Sequence, residues 1–374
     1  MSSAPGRVKL VLSVDALLPP LSGIGRYTWE LASRMPHVPS VGSVRFFRAG
    51  QWVADPSSLL VAATSPGKRR LKPPRWAKEI YWRNALRGAV FHGPNYLLPR
   101  HAENAVATVH DLSVFKFPET HPVERIRQFE REFANSMALA KHLITDSQAT
   151  RQEVMDFLAW PADRITAVPL GVSPQFAPAA ADHLSPALRK YGLTQGGYVL
   201  CVSTLEPRKK IANLLLAYQC LPASMRNQYP LVLVGGYGWL SEELHGQVNR
   251  LSVQGWLRYL GFVPEADLPV LYAGARAFAY PSIYEGFGLP VLEAMASGVP
   301  VVTSNRSCLP ELTQGAALLV EPDDIDALAQ CIATSVSDEV WRGAASENGL
   351  AAAKAFTWER CVEATARVYR STQS

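Results

Sequence analysis

Short runs of aliphatic and β-branched residues recur along this chain. Between them lie stretches in which apolar residues return every three or four positions. In the first half the runs are Val8–Val14, Val90–His92, Ala105–Val109, His142–Thr145 and Ile165–Val168. Unbroken apolarity over so few residues predicts strands buried on both faces, as in a parallel sheet. Tyr27–Arg34, Glu124–Lys141 and Ala149–Leu158 carry helical patterns, the last with Ser147 as its N-cap. The second half repeats the alternation, with strands expected at Tyr198–Ser203, Leu231–Val234, Arg258–Leu260, Ala277–Ala279, Val299–Thr303 and Ala317–Val320. A βαβα rhythm demands helices on both faces of a parallel sheet, so the pattern predicts an α/β fold of two doubly wound, Rossmann-like domains. Ligands of such sheets bind at the carboxyl ends of the strands, here expected in a cleft between the domains.

The stretch Ser173–Ser185 is rich in proline and alanine, has no clear period, and is expected to be the interdomain linker. The predicted domains are 1–177 and 186–355. The helical pattern within 356–374, which opens Phe-Thr-Trp-Glu, is expected to pack back on the first domain.

Composition narrows the picture only a little. A chain of 374 residues suits two domains. With 48% hydrophobic and 18% charged residues it is globular, not disordered. The net charge of +5 is too modest to imply nucleic acid by itself. Cys201, Cys220, Cys308, Cys331 and Cys361 form no CxxC pair and have no histidine at metal-ligand spacing. They are expected to be reduced and mostly buried, as in a cytoplasmic protein. Val8–Val14 ends at Asp15 and reads as a strand, not a signal peptide. No apolar run approaches the roughly 18 residues needed to cross a bilayer, so any membrane contact is expected to be peripheral.

The chemistry concentrates in Tyr280–Val302. A strand enters a glycine-containing loop, Pro290 falls in the first turn of a helix, and Gly298 with Pro300 stops it. The N–H groups opening such a helix, here around Gly286, Phe287, Gly288 and Leu289, suit a diphosphate. Glu285 in the loop can accept bonds from sugar hydroxyls, and Glu293 about one turn into the helix can hold a ribose diol. Taken alone, two glutamates at this spacing would read first as a loop charge and a solvated helix residue. Ser203-Thr204-Leu205-Glu206-Pro207-Arg208-Lys209-Lys210 follows another strand and supplies the fixed positive charge that a departing diphosphate needs. Ser22-Gly23-Ile24-Gly25-Arg26-Tyr27 opens a helix after the first strand, where Gly23 and Gly25 permit close backbone approach to a ligand or simply a tight turn.

These segments resemble the retaining glycosyltransferases of family four, the glycosyl transferases group 1, which have the GT-B fold. Glu285 and Glu293 match the family's E-x7-E motif. Leu260-Gly261-Phe262-Val263, Tyr280-Pro281-Ser282, the whole Glu285–Gly298 block and Leu309-Pro310-Glu311 extend the likeness over nearly the whole chain. It is strongest toward bacterial mannosyl- and rhamnosyltransferases of O-antigen, that is lipopolysaccharide, synthesis. The resemblance implies a metal-independent enzyme that retains configuration and has no cofactor beyond a nucleotide-sugar donor. GDP-mannose is the first expectation for that donor, GDP-rhamnose the second and a UDP-hexose the third. It assigns the diphosphate to Arg208 and Lys209, although many relatives have arginine where this chain has Thr204, and asparagine or glycine at Lys210. It brings the Gly23–Gly25 loop toward the donor phosphate and places His110, in Thr108-Val109-His110-Asp111, against the transferred sugar. Positioning and electrostatic stabilisation are the expected tasks of Glu285. Phe91-His92-Gly93-Pro94-Asn95 is either an acceptor-side loop or a structural turn, and Asp146-Ser147 and Pro169–Val172 are landmarks without an assigned task. No carboxylate pair stands where a metal would be needed, and Asp323-Asp324 reads as surface.

One feature remains apart. Lys68, Arg69, Arg70, Lys72, Arg75, Lys78, Arg83 and Arg87 face a single acid, Glu79, with Trp76, Ile80, Tyr81 and Trp82 interleaved. The run at 68–87 is either a helix that docks on the anionic cytoplasmic face of an inner membrane or an ordinary helix with a solvated basic face. A lipid-linked saccharide acceptor favours the first. The rival readings are a UDP-hexose-dependent transferase, a phosphorylase or epimerase of the same architecture, an inactive scaffold subunit, and a nucleic-acid binder, which no recognition motif accompanies.

Overall fold

A computed structural model of the chain describes residues 7–61, 75–238 and 241–373. It divides into two compact units, 1–112 with 127–171 and 358–374, and 113–126 with 172–357.

In the first unit the strands are β1 (Val8–Ser13), β2 (Val41–Arg48), β3 (Gln51–Val53), β4 (Val90–Gly93), β5 (Asn104–Val109), β6 (Ala140–Thr145) and β7 (Ile165–Ala167). Their order is β3-β2-β1-β4-β5-β6-β7, parallel throughout except the edge pair β2–β3. Sequence periodicity misses β2 and β3. The β2 strand lies next to the edge, and its burial alternates irregularly along Val-Gly-Ser-Val-Arg-Phe-Phe-Arg. It therefore lacks the apolar run that marks the central strands. The C-terminal helix Trp358–Ser371 belongs to this unit. It buries Trp358, Cys361, Val362, Thr365, Ala366, Val368 and Tyr369, and Glu359 pairs with Arg34 of the helix Gly23–Arg34 at 3.3 Å.

The second unit holds β8 (Val199–Val202), β9 (Leu231–Val234), β10 (Leu257–Tyr259), β11 (Ala277–Tyr280), β12 (Val301–Ser304) and β13 (Ala317–Val320). The order β10-β9-β8-β11-β12-β13 is parallel throughout. Leu231–Val234 is wholly buried, the condition that makes such a strand read as a plain apolar run.

Three sequence expectations need correction. The expected linker 173–185 overlaps a helix, Ala181–Lys190, with Pro186 inside it. Leu184 and Leu188, one turn apart, are buried, and Leu188 packs at Gly274. The change of unit comes earlier, at Gly171–Val172, where the Val172 N–H donates to the Phe356 carbonyl at 3.1 Å. Nor is 1–177 one continuous unit. Residues 113–126 group with the second, held there by the Phe117 ring 5.2 Å from Tyr284 and by Lys116 over the same ring.

The basic run is only partly described. Lys68, Arg69, Arg70 and Lys72 lie outside the described residues, as do the side chains of Arg75, Trp76 and Lys78. Within the helix Arg75–Leu86, Trp82 and Leu86 turn inward to Phe47 and Phe91, while Ile80 and Tyr81 are exposed. Among the described residues no helix is long and apolar enough to cross a membrane.

Candidate active site

In each sheet the chain builds outward from one strand and then jumps to its other side. This leaves a crevice at the carboxyl ends of β1 and β4 in the first unit and of β8 and β11 in the second.

At the second crevice, the loop after β8 carries Arg208 and Lys209, and the loop after β11 carries Glu285. The two loops are tied by backbone, with the Ile283 N–H donating to the Arg208 carbonyl at 3.0 Å. Lys209 Nζ donates to Glu285 Oε1 at 2.5 Å and to the Tyr280 hydroxyl at 2.8 Å. The Tyr280 hydroxyl itself donates to the same Oε1 at 2.9 Å. Arg208 approaches Glu285 Oε2 at 3.5 Å, pairs with Glu206 at 2.6 Å, and donates to the Tyr284 carbonyl. Burial alone would push the Glu285 carboxyl up. Lys209, then Arg208, and the hydrogen bonds overcome it and hold the group down to about 2. The result is a buried knot of two cations and two carboxylates, internally neutral. Sequence reasoning found Arg208, Lys209 and Glu285 but not that they pair with one another, nor the parts of Glu206 and Tyr280.

Glycine sets this geometry. Gly288 precedes the helix Leu289–Ala296 at φ 95°, and a Cβ there would meet Leu309 at 2.8 Å. Phe287 is buried with its ring edge on Phe356. The loop after β9, Gly235-Gly236-Tyr237-Gly238, presses on the Arg208 loop so closely that a Cβ on Gly235 would fall 1.9 Å from the Ser203 carbonyl. Three glycines in four residues were the available signal for this support. Glu293 lies inside the helix and is buried, not solvated, close to the Tyr272 hydroxyl. The Glu285 N–H is held by Ser307 Oγ at 3.0 Å. Asp323 is exposed, yet it receives Lys210 at 2.7 Å and Asn213 at 2.9 Å, and Asp324 caps the following helix.

At the first crevice lies a cavity of about 360 Å³, walled by residues of the loops after β1 and β4, including Asp15, Leu18, Pro94 and Asn95, and by Ile24 of the helix Gly23–Arg34. Asp15 is held by Ser13 Oγ at 2.6 Å and by the Ala49 N–H at 2.8 Å. The glycine requirement at Gly25 is one of packing. A Cβ would stand 3.0 Å from the Ala16 carbonyl, and the Gly25 N–H is taken by the Ser22 hydroxyl at 3.2 Å. Gly23 is the first residue of that helix.

His110 follows β5. Its Nδ1 lies 2.6 Å from Asp146 Oδ2 and its Nε2 lies 2.7 Å from the Pro94 carbonyl. Beneath it runs a buried chain. The Tyr369 hydroxyl is 2.6 Å from His92 Nδ1, His92 Nε2 is 2.8 Å from Thr108 Oγ1, and Thr108 Oγ1 is 3.0 Å from the Tyr27 hydroxyl. Burial, and then the charge on His110, press His92 down to about 3, so it is neutral. Of the two readings for the segment 91–95, His92 is structural, whereas Pro94 and Asn95 line the cavity.

Comparison with known proteins agrees with this architecture. The family profile described as "Glycosyl transferases group 1" matches residues 188–351. The O-antigen chain mannosyltransferase B of Escherichia coli is 40% identical over 97% of this chain and 100% of its own length. A serotype-specific mannosyltransferase WbdA of Escherichia coli is 28% identical over 75% of this chain, a match that spans 36% of that larger protein. Among solved structures, Anabaena HepE in complex with UDP-glucose superposes with a TM-score of 0.73 at 20% identity, covering 98% of this chain and 100% of the other. That likeness speaks for the two-domain GT-B fold alone.

Proposed function

The chain belongs to the group 1 glycosyl transferases, and on that premise we propose that it moves an α-mannosyl residue from GDP-mannose onto a lipid-linked saccharide in O-antigen synthesis. Mannose is supported by the relatives, whose names include O-antigen chain mannosyltransferase B. The observation that carries the site assignment is the Lys209–Glu285–Arg208 knot at the switch point of the second sheet. A diphosphate arriving there draws the guanidinium and ammonium toward its oxygens as its bond to the anomeric carbon breaks. Glu285, kept ionised by the same two cations, faces the positive charge that develops on the sugar. Its task in this reading is electrostatic, not covalent. The buried Glu293 takes the ribose diol, and the N–H groups opening the helix Leu289–Ala296 add to the diphosphate site.

Retention of configuration and independence from metal ions are part of the same proposal. The first rests on family resemblance. The second rests on Arg208 and Lys209 supplying the charge that a metal would otherwise bring. The acceptor is assigned to the cavity of the first unit, and the basic helix Arg75–Leu86 to the anionic cytoplasmic surface of the membrane that carries it.

Calorimetric titration with GDP, UDP, GDP-mannose and UDP-glucose tests the donor. GDP and GDP-mannose are expected to bind at least about tenfold more tightly than the uridine ligands, and Glu293→Ala to weaken both by about tenfold. Preference for UDP and UDP-glucose would transfer the site to a UDP-hexose. Absence of binding to all four would favour a catalytically inactive scaffold.

A further inference from the structure

The cavity of the first unit has an uneven chemistry. Among the described residues that line it, Asp15 is the only charged one. The carboxylate stands half-buried just beyond β1, and the fold grips both of its oxygens. Ser13 Oγ donates to Oδ2 at 2.6 Å, and the Ala49 N–H, between β2 and β3, donates to Oδ1 at 2.8 Å. A carboxylate offers about four acceptor sites, so each oxygen keeps room for one more donor. Its direction is set before any ligand arrives. Asn95, from the loop after β4, adds an amide that both donates and accepts. Ser22 Oγ accepts from the Gly25 N–H at 3.2 Å, which leaves its own proton to give. Leu18, Ile24, Pro94 and Leu97 supply apolar surface. At about 360 Å³ the cavity stands at the small end of ligand pockets, which run from about 300 to 1,000 Å³.

We propose that this cavity binds one neutral sugar ring of the acceptor, that Asp15 reads two adjacent hydroxyls of that ring, and that phosphorylated and carboxylated sugars are turned away. The inference deepens the acceptor assignment made above and rests on it. Two neighbouring hydroxyls can donate side by side to the remaining acceptor sites of one carboxylate, while a C–H face of the ring lies on the aliphatic wall. A sugar bearing its own phosphate or carboxylate brings a second negative charge beside Asp15, and no cation among the described lining residues offsets it. A diphosphate that ties the saccharide to a lipid therefore lies outside this cavity. Asp15 selects the acceptor and takes no part in bond breaking. Its loss acts on acceptor binding, and the turnover of bound substrate is spared.

Backbone amide NMR spectra of the full, nucleotide-free chain test it, with the Ala49 N–H as reporter because it is bonded to Asp15. The probes are methyl α-mannobioside, its 6-phosphate and the matching uronate, each added to about 50 mM. The neutral glycoside is expected to shift Ala49, and the two anions to bind at least about tenfold more weakly. Asp15→Asn keeps an acceptor for Ala49, and it should weaken the neutral glycoside by about tenfold or more while narrowing its advantage over the anions. If that variant misfolds, Leu18→Lys, at an exposed position of the wall, is expected to raise binding of the phosphate by at least about tenfold. In transfer assays Asp15→Asn should raise the acceptor KM by about tenfold or more with kcat changed by less than about threefold. An acceptor lacking one of the two hydroxyls should lose as much with the unsubstituted protein and nothing further with the variant. An Ala49 resonance indifferent to the neutral glycoside, tighter binding of either anion, or an acceptor KM that Asp15→Asn leaves within about threefold would overturn the proposal. Mannosyl transfer with that unchanged KM would leave the transferase reading standing without it. Binding of the neutral glycoside with no transfer from any donor would keep the sugar site and remove the transferase reading.

Discussion

The two sheets end in crevices of opposite character. That of the second unit is closed by a knot of full charges, Glu206, Arg208, Lys209 and Glu285, most of them held on a neighbouring charge. That of the first is a cavity with apolar walls, one tethered carboxylate in Asp15, and a neutral hydrogen-bonded chain buried beneath His110. The same doubly wound topology thus yields a site built on paired full charges and a site whose one carboxylate, Asp15, is already bonded within the fold. In the proposed reading the charged knot receives the leaving diphosphate and the cavity of the first unit the acceptor.

The sharpest way to break this contrast is to take one carboxylate out of the knot. Glu285→Gln preserves the shape but leaves Lys209 and Arg208 without their shared carboxylate. Initial rates of sugar transfer should fall by about 10²–10³-fold. A loss of less than about threefold would show that the reaction centre lies elsewhere. Next in size is Tyr369→Phe, which strips the buried His92 Nδ1 of its partner. Thermal unfolding should show a loss of about 1–3 kcal/mol, with transfer rates changed by less than about threefold if the chain is structural only.

The pH dependence separates the two units by sign. Glu285 titrates below its ordinary value, so its contribution to stability is full above about pH 4.5 and is lost as pH falls through about 2. His110 titrates above its ordinary value, so its contribution is full below about pH 6.5 and is lost as pH rises through its raised midpoint. Hydrogen exchange resolved by peptide should therefore show Glu285→Gln flattening the acid response in peptides of the second unit. Asp146→Asn should alter the alkaline response in those of the first. The smallest effect is expected at Asp323→Ala, which removes an exposed partner of Lys210 and should cost less than about 1 kcal/mol.

What the sequence made legible follows from the same physics. The central strands of the second sheet, such as β9, β11 and β12, were readable because strands covered on both faces must be apolar throughout. The β2 and β3 strands were not, being near an edge and only partly covered. The helix Ala181–Lys190 hid behind Pro186 and a run of alanines, although Leu184 and Leu188 one turn apart were its signature. In the site, residue types and loop positions were visible because glycine and proline punctuate them. Partnerships were not. Nothing local in the chain says that Tyr369 closes on His92, a separation of 277 residues, or that Asp146 meets His110.

The most direct measurement is sugar transfer itself. Purified protein would be incubated with GDP-mannose or UDP-glucose and a lipid-linked oligosaccharide acceptor, with and without a metal chelator, and the product's anomeric configuration read by NMR. The account predicts that GDP-mannose alone yields product, that the new linkage is α, and that the chelator changes nothing. Transfer from UDP-glucose alone, a β linkage, or activity abolished by the chelator would contradict it.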